Sequence, residues 1–241
     1  MRRALAALLL TLLAVVPARA DPDALWYIVN EQCVPDQQQF RSPKPCTLVD
    51  LGAGYVVLKD RVGVAQYLVM PTARISGIES PEILAADSPN YWEAAWQARR
   101  YVADALNRSS MPRETISLAI NSIHGRTQNQ LHIHVDCTRP EVIAALRSHA
   151  GNLGPAWTKF PVKLSGHDYM AMRIERADLA GSNPFLLLAD GIPNARADMG
   201  PYTLVIAGMP EGFVLLAGRA SGITNRGSGE ELQDHACAIA R

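Results

Sequence analysis

The sequence predicts an α+β domain, an antiparallel sheet with flanking helices, on three observations. Short apolar or alternating runs such as Gly54–Asp60 and Gln66–Met70 are separated by glycine and proline turns. Apolar residues keep helical spacing over only a few segments. Strands and helices do not alternate in the manner of a parallel sheet. The 241 residues, 48% hydrophobic and 19% charged, suffice for one folded domain over residues 21–241. With 23 basic and 23 acidic residues the net charge is zero, which leaves no electrostatic footprint for nucleic acid. No internal repeat at a fixed period and no low-complexity tract is visible.

Taken in order, residues 1–20 form a targeting segment. Met1-Arg2-Arg3 supplies positive charge, Ala4 to Val16 an apolar run, and Ala18-Arg19-Ala20 a small-residue cleavage pattern. The run is shorter than the ~20 residues of a membrane span, so a signal peptide or signal anchor is expected, with the rest exported. Asp21 to Asn30 is expected as a short helix, and Val34 to Pro45 as a loop. Cys33, Cys46, Cys137 and Cys237 fit an oxidising compartment. The favoured pairs are Cys33 with Cys46, closing that loop, and Cys137 with Cys237, tying a carboxyl-terminal helix behind the central hairpin. The two strands named above are joined by a turn at Gly63. Ser80-Pro81 predicts a helix start with Ser80 as cap.

A longer helix is expected over Pro89 to Asn107, with Trp92, Ala95, Trp96, Ala103 and Leu106 on one face. Trp92, Trp96 and Phe185 serve either as core or as an apolar wall for a ligand. Arg113 to Ile120 reads as a strand and Asn121 to Gly125 as a turn, making a hairpin with the stretch that follows. Thr138-Arg139-Pro140-Glu141 has the form of a capping box opening a helix to Ala150. Strands are expected at Thr158–Leu164, Asp168–Ile174, Phe185–Ala189, Tyr202–Ala207 and Phe213–Ala217. The last two are joined at Met209-Pro210-Glu211-Gly212. Ser228-Gly229-Glu230-Glu231 predicts a final helix. His149, His167 and His235 are expected in surface, helix-end or packing roles.

The chemistry concentrates in Gln128 to Cys137. As a strand, this stretch puts Gln128, Gln130, His132, His134 and Asp136 on one face and Leu131, Ile133, Val135 and Cys137 on the other. The apolar row packs on a core. The polar row is either a solvated face, a metal site using His132, His134 and Asp136, or a nucleophilic site in which one imidazole attacks and the next assists. Spacing alone leaves the three open. No phosphate-binding glycine loop, dinucleotide fingerprint or Gly-x-Ser-x-Gly elbow occurs.

The segment Leu68 to Pro71 with Ile75, Ile78 and Glu79, followed by a hairpin ending in His-x-His, resembles the histidine-triad superfamily. Asn121-Ser122, the run Gly125 to His134, Asp136-Cys137, Gln66 to Thr72, Ile78 to Pro81 and Asn183-Pro184-Phe185 are similar to the bacterial CDP-diacylglycerol pyrophosphatases. The resemblance implies a histidine-triad-like fold and hydrolysis of CDP-diacylglycerol to CMP and phosphatidate without a metal or other cofactor, at a membrane surface on the periplasmic side. It places His132 as nucleophile and His134 as the group that steadies developing charge. Gln130 stands where the first histidine of a triad would be. Asn121, Arg126, Thr127, Gln128 and Gln130 are the expected substrate-binding residues. A metal-dependent phosphoesterase, a nucleotidyl transferase to an alcohol and a non-enzymatic exported lipid- or nucleotide-binding module are the competing readings.

Overall fold

A computed structural model describes residues 21–240; the expected signal segment lies outside the described residues. Nine strands form one antiparallel sheet in the order β1-β2-β3-β5-β4-β8-β9-β7-β6. They are β1 Leu48–Asp50, β2 Tyr55–Lys59, β3 Tyr67–Pro71, β4 Ile116–Ile120, β5 Ile133–Cys137, β6 Thr158–Lys159, β7 Met170–Ile174, β8 Tyr202–Gly208 and β9 Phe213–Arg219. The α+β expectation therefore holds, and the hairpins of β2 with β3 and of β8 with β9 form at the turns read from the sequence.

The order carries an internal correspondence. With the edge strand β1 set aside, β2-β3-β5-β4 and β6-β7-β9-β8, each read inward, use their strands in the same sequence, and the two sets meet at the antiparallel pair of β4 and β8. Each set also passes through a helix between its second and third strands, Tyr91–Ala105 in one and Pro184–Gly191 in the other. The chain is thus a topological duplication. No repeat shows in the sequence because the duplicated strands share only their period, not their residues.

Five α-helices flank the sheet: α1 Ala24–Tyr27, α2 Val34–Phe40, α3 Tyr91–Ala105, α4 Pro140–His149 and α5 Pro184–Gly191. On one face, α3 and α5 cover Val69, Leu118, Ile133, Val135, Leu204 and Leu215. Asn90 caps α3 by accepting the Glu93 amide, and Trp92 meets Phe185 of α5 at 5.2 Å between ring centroids. Trp92, Trp96 and Phe185 are therefore core residues, and truncating either tryptophan would cost about 3–5 kcal/mol.

The other face carries two apolar clusters. Val142 and Leu146 of α4 pack on Ala119, Val205, Val214 and Leu216. Val29, Cys33 and Cys46 pack on Val56, Leu58, Leu68 and Met70. Between these clusters, the alternation of β5 turns His134 and Asp136 to this face. Both disulfides pair as expected, Cys33 with Cys46 and Cys137 with Cys237.

Several local expectations are corrected. Val34–Pro45 is not all loop, since Val34–Phe40 is helical with Pro35 in the first turn, where its missing N–H costs nothing. Phe185–Ala189 is helix, not strand. Asn183 accepts the Phe185 amide, Pro184 opens the first turn, and a short apolar run cannot by itself separate the two conformations. The Thr138 capping box does not form, because Arg139 occupies the cap position of α4. Ser80 does precede the short helix Pro81–Leu84, but its hydroxyl accepts the Gly77 amide instead of capping it. The strand expected over Thr158–Leu164 shrinks to Thr158–Lys159. The final helix is only the 3-10 turn Gly229–Leu232.

Candidate active site

The paired part of the histidine strand begins at Ile133, and the chain from Gln128 to His132 leads into it irregularly, with bends at Asn129 and Gln130, so the alternation expected from Gln128 onward holds only from Ile133. The strand alternation therefore places His134 and Asp136 on one face. Gln128 and Gln130 are placed by their own hydrogen bonds. Gln130 is fully buried, and its amide donates to the carbonyls of Pro71 and Ala73, both at 2.9 Å. This pins the chain just before His132 against the end of β3. The backbone carbonyl of Gln130 then accepts from Nδ1 of His132 at 2.5 Å. That bond fixes the ring tautomer and leaves the Nε2 lone pair free.

His132 and His134 stack edge to face with centroids 4.8 Å apart. Burial pushes the pKa of His132 below its ordinary value, against a smaller opposing pull from its bond to Gln130. His134 is pushed down to about 3, again by burial, with Glu230 opposing. Both rings are neutral at pH 7. Nδ1 of His134 accepts from the Gln66 amide at 2.6 Å, which leaves the ring proton on Nε2. That Nε2 is buried and has no hydrogen-bond partner among the described residues. An unpaired buried donor costs about 1–3 kcal/mol and calls for an explanation.

The remaining wall comes from the carboxyl-terminal strap, residues 228–237, in which the sequence showed no site residue. Asn121 fastens it: its carbonyl oxygen accepts from the Gly229 amide at 2.8 Å, and its amide donates to Glu230 at 2.5 Å. Gly229 lies flat on β8, where an added Cβ would fall 2.7 Å from Thr203 Oγ1. Gln233 donates to the carbonyls of Ser117 and His134. The Cys137–Cys237 disulfide closes the far end. The strap delivers Glu230 to 3.2 Å from Nδ1 of His134. Burial alone would raise the Glu230 carboxyl, but the pull of His134 when that ring is charged, with the bonds from Asn121 and Gln66, holds it below the usual carboxylate value. His235, expected outside the site, bonds Asp136 at 2.7 Å, which raises its pKa.

The other expected binding residues divide. Arg126 is held by Glu79 in a two-pronged ion pair at 2.5 and 2.7 Å, while its Nε stays buried without a partner. It lines a cavity of about 500 Å³ together with Arg74, Ser76, Ser80 and Asn129. Thr127 is exposed. Gln128 bonds the backbone of Leu25 and Asp21 and so clips the start of the described chain. Asp136 faces His235 and its own strand end, not the two histidines. Among the described residues the one trio with converging metal-ligand atoms is Asp136, Cys137 and Cys237, and its sulfurs are already joined. The His132, His134 and Asp136 metal reading therefore finds no converging ligand set.

Compared with known families, the chain matches the profile described as CDP-diacylglycerol pyrophosphatase over residues 20–241. It is similar to a protein of Yersinia pestis named CDP-diacylglycerol pyrophosphatase. The two are 49% identical over 222 residues, which cover 91% of this chain and 86% of that protein.

Proposed function

The chain belongs to the CDP-diacylglycerol pyrophosphatase family and hydrolyses the pyrophosphate of CDP-diacylglycerol, and we propose that it does so in two displacements with His132 as nucleophile. The carrying observation is the 2.5 Å bond from His132 Nδ1 to the Gln130 carbonyl, which frees Nε2 for attack. Nε2 attacks the cytidylyl phosphorus, the bond to the bridging oxygen breaks, and phosphatidate leaves. The Nε2–H of His134 donates to an oxygen on phosphorus as charge builds there. Water then cleaves the CMP–histidine bond and returns His132 as the free base, so one substrate and one water give CMP and phosphatidate. Dividing the displacement lowers each barrier. His132 is only 6% exposed, so this reading requires the site to open to the pyrophosphate. The unpartnered Nε of Arg126 supports a role in holding a phosphate oxygen in the adjoining cavity.

The two disulfides fit an exported, oxidising setting. The lipid substrate, the apolar run Ala4 to Val16 and the exposed Val62 and Val64 support work at a membrane surface, on the periplasmic face of the inner membrane. No helix among the described residues is long and apolar enough to cross a membrane.

The test is intact-protein mass spectrometry after an alkaline quench during turnover, because a phosphoramidate survives alkali. Wild type should carry a CMP adduct. His132→Ala should lack it and lose more than about 10³-fold in kcat. A wild-type protein with no adduct under turnover would favour direct attack by water.

A further inference from the structure

Glu230 has no place in the two-step scheme above, yet among the described residues it is the one carboxylate within reach of the second histidine. Its Oε1 lies 3.2 Å from Nδ1 of His134, and the Gln66 amide donates to both groups, at 2.6 Å to the ring and 3.2 Å to the carboxylate. The amide bridges a ring and a carboxylate that are themselves in contact. It suits a neutral His134 and can be displaced by a proton on Nδ1. On the far side of the ring, Nε2 faces the site with no partner.

Resting on the reading of His132 and His134 given above, we propose that Glu230 is a positioning residue: the built-in counter-charge that lets His134 take up a proton when a phosphate arrives. In the loaded site the proton comes from solvent onto Nδ1 and is held by Glu230. The Nε2–H then points at the phosphate from a cationic ring instead of a neutral one. A hydrogen bond from a charged donor is roughly twice as strong as one from a neutral donor. Because the strap is fastened by Asn121, Gln233 and the Cys137–Cys237 bond, the carboxylate is in place before substrate binds.

The other charged groups around this pair are accounted for. His132 lies beside His134 on its own chain stretch. His235, also on the strap, has Nε2 3.9 Å from Glu230 and is itself held by Asp136. Asp60, from the turn between β2 and β3, acts on His132 and His235, and Arg126 acts on His132. Glu230 alone both touches His134 and has the sign that favours its protonation.

The next residue supplies a matched control. Glu231 turns to the other half of the sheet, where it accepts from Tyr169 at 2.5 Å and bonds His167 at 2.8 Å. Its neighbours are hydrogen-bonded in the same style, but no catalytic group is among them.

The experiment compares kcat against pH for wild type, Glu230→Gln and Glu231→Gln. Glutamine keeps an acceptor for Asn121, so the strap has the means to stay docked. An anion beside a histidine raises its pKa, and removing that anion lowers it. The alkaline limb of kcat, which reports groups in the bound complex, should move to lower pH by about one to three pH units in Glu230→Gln. Near pH 8 this appears as a loss of about 10- to 100-fold in kcat with KM little changed. Glu231→Gln should follow wild type. A Glu230→Gln profile superimposable on wild type overturns the proposal. Should that variant fail to fold, nitrogen NMR of histidine-labelled wild type decides. His134 should be neutral alone and protonated at both nitrogens with CMP bound, and a ring that stays neutral with CMP overturns the proposal. If His132→Ala retains activity, the underlying reading falls. If it is inactive while Glu230→Gln is unchanged, only this inference falls.

Discussion

The two halves of the sheet share a topology and differ in chemistry. In β2 to β5, the strand beside the central pair turns His134 and Asp136 to the second face, with His132 just before them. In β6 to β9, the corresponding strand β9 turns Val214 and Leu216 to that face, packed under α4. Where one half has Gln66 and Glu230 beside a histidine, the other has Tyr169 and Glu231, with the Tyr169 hydroxyl held protonated by burial and by the Glu231 charge. The contrast teaches that the fold supplies two equivalent places and the side chains decide which one reacts.

The sharpest way to break this comparison is to cut matched positions. His134→Ala should lower kcat by about 10²- to 10³-fold, as expected for loss of a donor aimed at developing charge, with little change in melting temperature. Leu216→Ala should do the reverse. It should destabilise by about 2–5 kcal/mol in denaturant melts while each folded molecule keeps its activity. If Leu216→Ala instead cut activity at full stability, the second half would be a working site and not a scaffold.

A smaller effect sharpens the role of the strap, which runs between the halves. Replacing Cys137 and Cys237 together by Ser removes a crosslink spanning 100 residues and should cost about 2–5 kcal/mol. Activity should fall further than stability alone explains, because Glu230 and Asn121 lose a fixed relation. The pair Cys33 and Cys46, 13 residues apart and not part of the strap, should change stability without a separate effect on kcat.

Sequence reading reached the half of the molecule whose pattern was local. The alternation from Ile133 to Cys137, the Pro and Gly turns, α3 and the Cys33–Cys46 disulfide are all written in short stretches where period and residue type agree. Phe185–Ala189 was illegible because five apolar residues satisfy a buried strand and a helix equally. The Phe185 amide donating to Asn183 Oδ1, with Pro184 in the first turn, decides between them. Glu230, Gln66 and His235 were missed for a different reason. Each reaches the site across the fold, and a glutamate after a glycine-rich segment carries no mark of its destination. Asn121 was found by resemblance, yet its hydrogen bonds show it fastening the strap. Gln128 likewise clips the amino-terminal turn.

The central claim is that His132 carries the nucleotide between two displacements, and the stereochemical course at phosphorus tests it without any variant. CDP-diacylglycerol with one sulfur on the cytidylyl phosphorus, as a single diastereomer, would be hydrolysed in oxygen-18 water and the chiral product assigned by phosphorus NMR. Two inversions predict retention of configuration. Net inversion would mean that water attacks directly and that His132 never bonds to phosphorus.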